Sequence, residues 1–210
     1  MKLQPQIRCR SFVLTGGRST RIGTDKALLP FGDGTLALWM AKIVKGVSQD
    51  VTLIGSREKY FSLGLPVEED VFPGRGPLGG IHAALVHSRQ APSLVVGCDL
   101  PYLSKEFLGF LVELAHSSGA DVVVPESPGL GLEPLCAVYA PSCLAPMEDA
   151  LQRGESKVQV LLARLRLRVV KHEEWLPYDP QGRLFCNLNT LAEYEEARAS
   201  LGPGIKSVRG

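Results

Sequence analysis

No charge of one sign dominates this 210-residue chain: 23 lysines and arginines face 22 aspartates and glutamates, a net charge of +1. A general nucleic-acid binder usually carries excess positive charge, so that class is not expected, although a small acidic ligand needs only local positive charge. No apolar run approaches eighteen residues, so no membrane-spanning helix is expected. The first ten residues, MKLQPQIRCR, lack the apolar stretch of a signal peptide. Cys9, Cys98, Cys136, Cys143 and Cys186 form no C-x-x-C pair, which argues against a zinc ribbon and a redox dithiol. Several lie in apolar runs, where cysteine acts as a small hydrophobe, and a reducing, cytoplasmic setting is the expectation. The four histidines show no H-x-x-x-H spacing. There is no G-x-S-x-G, and no Walker A loop can be fitted.

What is present reads as an ordinary globular composition, with 45% hydrophobic and 21% charged residues. Glycine (22) and proline (15) make up about one residue in six, against roughly 12% on average, so turns are many or carry work. The length suits one domain, predicted over residues 1–200, with a frayed tail at 201–210. Strand-like runs (11–15, 51–54, 93–96, 121–124, 135–139, 168–171) alternate with helical faces (35–47, 79–88, 104–114, 142–152). Pro125 is expected to stop the strand before it. Asp179–Gly182 reads as a turn between short strands, and Thr190-Leu-Ala-Glu193 as a capping box opening a last helix. The alternation predicts an α/β fold with a mostly parallel sheet covered on both faces. Ligands in such sheets sit beyond the carboxyl ends of the strands, here after Thr15, Ile54, Glu68 and Val96.

Three of those places carry chemistry. The loop after the first run holds Gly16 and Gly17, with Arg18, Arg21 and Lys26 against one acid, Asp25. Glycines let a backbone approach a ligand, and a local +2 suits a polyphosphate; a solvated glycine-rich turn is the plainer alternative, weighted roughly one to two. Gly74 to Gly79 spells G-x-G-x-x-G, with Asp99 twenty residues beyond. Yet Glu68–Pro73 is not a buried strand and Pro77 interrupts the turn, so a ligand-facing loop is preferred to a dinucleotide site. Gly80 alone reads as an ordinary helix-start residue. Asp99 ends a buried apolar run; on position it is equally a Mg²⁺ ligand beside a polyphosphate or a loop-capping acceptor.

Together the segments resemble a known family. Leu14-Thr-Gly-Gly-Arg-Ser-Thr-Arg-Ile-Gly-Thr-Asp-Lys-Ala-Leu-Leu29 resembles the L-A-G-G-x-S-x-R-M-G-x-D-K-x-L-L signature of the molybdenum cofactor guanylyltransferases, MobA. Gly76–Ile81, Cys98-Asp-Leu-Pro-Tyr102, Glu133-Pro-Leu135 and Asn187-Leu-Asn-Thr190 are similar to its later segments. The resemblance implies a three-layer domain of the nucleotide-diphospho-sugar transferase, Rossmann-like type. It implies transfer of GMP from GTP to the terminal phosphate of molybdenum-bound molybdopterin, with pyrophosphate released. Leu14, Thr15, Gly16 and Gly17 would then contact the nucleotide, Lys26 and Arg21 would stabilise phosphate charge, and Asp70 would meet guanine. Asp99 would bind nucleotide and Mg²⁺, with Lys26, Arg21 and Asp99 forming the catalytic set. Without the resemblance, Asp70 reads as part of a solvated Glu68–Asp70 run. Asn187 and Asn189 are equally pterin-phosphate ligands or caps of the last helix.

The departures from the signature are Thr15 for alanine, Ile22 for methionine, and Ile54 where some relatives have a nucleoside-contacting asparagine. Rival readings are a molybdopterin cytidylyltransferase and an NAD-dependent oxidoreductase using Gly74–Gly79. Expected partners are GTP and molybdopterin, with a molybdoenzyme or cofactor-delivery protein beyond them. The sequence sets no oligomeric state, and a monomer is the default expectation.

Overall fold

The computed structural model describes residues 9–16, 25–48, 50–88 and 90–200; the tail 201–210 lies outside them. In chain order the first half holds β1 (Arg10–Leu14), β2 (Pro30–Phe31), β3 (Gly34–Thr35), α1 (Leu36–Lys45), β4 (Val51–Ile54) and α2 (Arg57–Tyr60). It continues with β5 (Val67–Glu68), α3 (Pro77–His87), β6 (Ser93–Gly97) and α4 (Lys105–Ser118). The second half holds β7 (Val122–Ser127), β8 (Gly131–Leu132), β9 (Cys136–Tyr139), α5 (Leu144–Gln152), α6 (Val158–Leu162), β10 (Leu167–Val170), α7 (His172–Trp175) and α8 (Leu191–Ser200).

The main sheet runs β10-β7-β9-β6-β1-β4-β5, with β8 added to β7. Every neighbouring pair along this order is parallel except the two made by β9, which is antiparallel to both β6 and β7. The central strands are apolar throughout because both of their faces are covered. Phe12 and Leu14 of β1 face a layer built from α3, α5 and α6, through Leu78, Ile81, Met147 and Leu162. Val13, between them, faces α1 and α4, through Met40, Val44, Phe107 and Leu111. Phe12 is 1% exposed and Val13 0%; burying each such side chain is worth about 1.5–3 kcal/mol. The Ser104 hydroxyl caps α4 by accepting from the Phe107 amide at 3.2 Å.

Some expectations change. Pro125 does not end β7, which runs on to Ser127. Its carbonyl accepts from the Glu133 amide, so the missing N–H faces the same side, in the gap where the antiparallel partner changes from β9 to β8. Nothing there needs a donor. The Asp179–Gly182 turn forms, with the Gly182 amide donating to the Asp179 carbonyl. However, a short 3-10 turn (Leu176–Tyr178) precedes it and no strand follows it among the described residues. Asp179 instead accepts from the amides of Arg183 and Leu184. The helix expected from Gly79 begins at Pro77, and α6 and α7 have no counterpart in the periodicity reading.

A third, smaller core fixes the chain end. Phe31 and Leu36 of the β2–β3 region pack with Leu188, Tyr194 and Ala197. Helix α8 is opened by the expected capping box: Thr190 Oγ1 accepts from the Glu193 amide, and Glu193 Oε2 accepts from the Thr190 amide. Segments distant in the sequence are thus held together.

Candidate active site

Strands β1, β4, β5 and β6 are parallel, so their carboxyl ends open on the same edge. At the end of β1 the Thr15 amide and hydroxyl both donate to the Ile54 carbonyl, at 3.0 and 2.8 Å. The Cys98 amide donates to the Leu14 carbonyl at 3.1 Å. Three strand ends are stitched together, and Gly16 lies exposed beyond them. Ile54 is 2% exposed and packs in the core, so its side chain has no ligand-facing role. A Cβ on Gly55 would lie 2.2 Å from Thr15 Oγ1 and 2.8 Å from Tyr60 Cε2. Threonine at 15 and glycine at 55 therefore fit as a pair.

Lys26 opens a 3-10 turn (Lys26–Leu28) capped by Asp25, whose Oδ1 accepts from the Ala27 amide at 3.2 Å. Asp25 Oδ2 accepts from the Tyr60 hydroxyl at 2.8 Å and lies 3.5 Å from Lys59 Nζ. The turn aims Lys26 across the edge, where its Nζ lies 4.0 Å from Asp99 Oδ2. Gly17, Arg18 and Arg21 lie outside the described residues.

Asp99 follows β6 directly. A Cβ on Gly97 would sit 2.7 Å from Asp99 Oδ1, so glycine there makes room for the carboxylate to fold back over the strand end. The Asp99 carbonyl accepts from the Leu188 amide at 3.0 Å, which sets Asn187 and Asn189 on either side of that junction. These two asparagines, Asp99, Glu133, Lys157 and Gln159 line one cavity of about 520 Å³. The cap of α8 is made by Thr190 and Glu193, so neither asparagine side chain is needed for it. Burial pushes the Asp99 carboxyl above its usual range, and the Lys26 ammonium opposes that shift. Glu133 is raised by burial and by the charge of Asp99. Two desolvated carboxylates sharing one cavity call for a cation. Mg²⁺ takes one or two carboxylates and fills its remaining positions with phosphate oxygens and water, so this donor set fits it. Among the described residues no group of three or more His, Cys, Asp and Glu forms a closed metal cage.

Asp70 sits in the loop between β5 and α3. Its Oδ1 is buried without a hydrogen-bond partner among the described residues, and burial raises its pKa. It is therefore not a member of a solvated acidic run. Its oxygens lie 3.5 and 3.7 Å from where a Cβ of Gly79 and of Gly80 would stand. The Gly80 Cβ would also lie 2.8 Å from Leu14 Cδ2, so this glycine is required by close packing of α3 on β1. Leu14, Gly79, Gly80 and Asp70 thus pack together around a buried acceptor that lacks a donor among the described residues.

The dinucleotide fingerprint fails on the same geometry. β5 is a two-residue edge strand ending at Glu68, and eight residues separate it from α3. The tight strand–turn–helix that pyrophosphate recognition needs is absent from this segment. Glu133, Lys157, Gln159, Asp25 and Tyr60 carried no assigned role in the sequence. Glu133 had a signal, standing before Pro-Leu at a strand start, whereas Lys157 and Gln159 lie around a helix start without a periodic face.

The comparisons with known proteins agree with this arrangement. A family model described as a MobA-like NTP transferase domain matches residues 11–170. A probable molybdenum cofactor guanylyltransferase of Pelotomaculum thermopropionicum is 36% identical over 193 residues, covering 91% of this chain and 93% of that protein. The crystal structure of molybdopterin-guanine dinucleotide biosynthesis protein A from Archaeoglobus fulgidus superposes with a TM-score of 0.80 at 26% identity, covering 91% of this chain and 98% of the other. The 2-C-methyl-D-erythritol 4-phosphate cytidylyltransferase of Thermus thermophilus shares the fold, with a TM-score of 0.64 at 15% identity over 90% of this chain and 97% of that one. Sequence and backbone geometry thus lead to one assignment: the chain belongs to the MobA-like NTP transferase family.

Proposed function

We propose that this chain transfers GMP from GTP to the terminal phosphate of molybdenum-bound molybdopterin, forming the guanine dinucleotide cofactor and releasing pyrophosphate. The observation that carries guanine in this reading is Asp70, whose buried Oδ1 lacks a donor beside the glycines of α3. Guanine presents N1–H and N2–H side by side, a pair that one carboxylate accepts. In this reading the ribose and phosphates run from Asp70 past Leu14, Thr15 and Gly16 toward Lys26, and Gly17 and Arg21 are assigned to the phosphates by the family signature alone. The acceptor enters from the cavity of Asn187, Asn189, Glu133 and Lys157. A terminal phosphate oxygen of the acceptor attacks the α-phosphorus; that P–O bond forms as the bond to the β-phosphate bridging oxygen breaks.

The chain needs no covalent intermediate for this chemistry. It positions the reactants in line and meets the developing charge with Lys26, whose turn Asp25 caps, while Lys157 lines the cavity assigned to the acceptor. Asp99, with Glu133 beside it, would hold Mg²⁺, which neutralises phosphate charge when bound. A cytoplasmic site of action is supported by five cysteines that are all unpaired. No described helix is long and apolar enough to cross a membrane.

The test is a nucleotide panel. Calorimetry with Mg²⁺ is expected to rank GTP above CTP and ATP, and GTP with the molybdenum-loaded pterin is expected to release pyrophosphate. Preference for CTP would replace this reading by the cytidylyl one; equal affinity for all three would remove base selection altogether.

A further inference from the structure

Thr15, just after β1, and Asp25, just before Lys26, meet one and the same side chain. The hydroxyl of Tyr60, from α2, lies 2.8 Å from Asp25 Oδ2 and 3.3 Å from the Thr15 carbonyl oxygen. Tyr60 is 3% exposed, and no Cβ at Gly55 stands in the way of its ring or of Thr15. Asp25 in turn caps the turn that carries Lys26, which lies 4.0 Å from Asp99.

We propose that Tyr60 is a positioning residue: its hydroxyl holds Asp25, the cap of the turn that carries Lys26, against the end of β1 and so presets Lys26 for the β- and γ-phosphates. This extends the proposed function and rests on its assignment of the triphosphate to Lys26. A cation whose turn is already held by a rigid, buried phenol loses less freedom when it meets an anion. The phenol suits the task because burial and the neighbouring Asp25 carboxylate both disfavour its ionised form, so it stays a donor at every working pH. Lys59, 3.5 Å from the same Asp25 oxygen, is exposed and adds charge but no fixed geometry. Asp70 and Gly79–Gly80, assigned to the base, belong to other elements, so the effect of the phenol should be confined to the phosphate end.

The experiment compares wild type and Tyr60→Phe for affinity toward GTP and GMP with Mg²⁺, together with melting temperature. The ring and its packing survive in Tyr60→Phe, so the fold should hold. A lost hydrogen bond to a charged group corresponds to about tenfold weaker GTP binding; GMP binding should be unchanged. The same substitution made on Lys26→Ala should have little further effect, because the cation it positions is gone. Asp25→Ala removes the acceptor of that hydroxyl; it should lower GTP affinity similarly and should not add to Tyr60→Phe. Equal weakening of GTP and GMP, or a full effect persisting in the Lys26→Ala background, would mean that Tyr60 is merely structural and would overturn the proposal. If the wild type prefers CTP, the guanine reading falls while CTP against CMP still tests Tyr60 by the same criteria.

Discussion

Asp70 and Asp99 are carboxylates kept in places where the folded chain alone gives them poor company. Burial raises both pKa values, and at Asp70 it is the only cause. The folded state then holds the Asp70 proton more tightly than the unfolded chain does, so stability falls as pH rises from the ordinary value of 3.8 through the raised one. Above that window the penalty is fully present. Asp70→Asn should therefore melt higher than wild type at neutral pH, and the gain should vanish below pH 3.8, as differential scanning calorimetry across pH will show. The same variant should lose its preference for GTP over CTP, the usual exchange of stability against function at a binding site. Asp99→Asn should fold and bind GTP weakly, but lose most transfer and its Mg²⁺ dependence. A destabilised variant with unaltered metal dependence, measured by pyrophosphate release, would return Asp99 to a loop-capping role. At this scale the sequence was informative where a residue ends a buried run, as Asp99 does. It was misleading at Asp70, because neighbouring acids disguise a carboxylate that the loop turns inward.

At the scale of elements, close approach decides more than propensity. Helix α3 meets β1 at Gly80, where an added Cβ would lie 2.8 Å from Leu14 Cδ2 and 3.1 Å from its Cγ. Gly80→Ala should cost about 1–3 kcal/mol through overpacking. It should also weaken nucleotide binding, since Leu14 ends the strand that leads into the proposed nucleotide site. Gly109→Ala, in α4, is the control: nothing lies within 4 Å of its Cβ. That substitution should stabilise by about 0.5–1 kcal/mol through helix propensity alone; urea titration of both variants compares them directly. Among the strands legible in advance, β1, β4 and β6 are buried on both faces, and their apolar runs have no other use. Pro125 was misread because its missing donor matters only if a neighbour needs it, and the neighbour changes at that residue. Tyr60 could not be read at all: it lies 35 residues from Asp25, and nothing local marks the contact.

At the scale of the whole molecule, residues 14 to 189 contribute to one edge, so ligand binding there should be felt by the entire fold. Mg²⁺-GTP at a hundredfold excess over its Kd adds about 2.7 kcal/mol of stability. For a chain of this size that corresponds to a rise of roughly 5–10 °C in Tm. NAD at the same concentration should leave Tm unchanged, which a thermal melt decides in one sitting. The layered architecture was foreseeable from alternation, but the reversal of β9 was not, because a strand's direction is set by the chain around it.

That reversal has a consequence for how the two substrates divide the molecule. A parallel strand delivers its last residue to the working edge; β9, running the other way, delivers its first, so Glu133 to Leu135 arrive there before the strand begins. The Leu135 carbonyl accepts from the Gly97 amide at 2.8 Å, which brings that segment against the end of β6. In the proposed reaction the line between β6 and β9 is therefore a frontier: the strands assigned to the donor lie on one bank, the loops assigned to the acceptor on the other, and Asp99 and Glu133 share the cavity between them. Each bank is a nearly continuous stretch of chain. Acceptor loops can lengthen, shorten or change charge without disturbing the nucleotide grip, so one scaffold can keep its donor while exchanging the molecule that receives it.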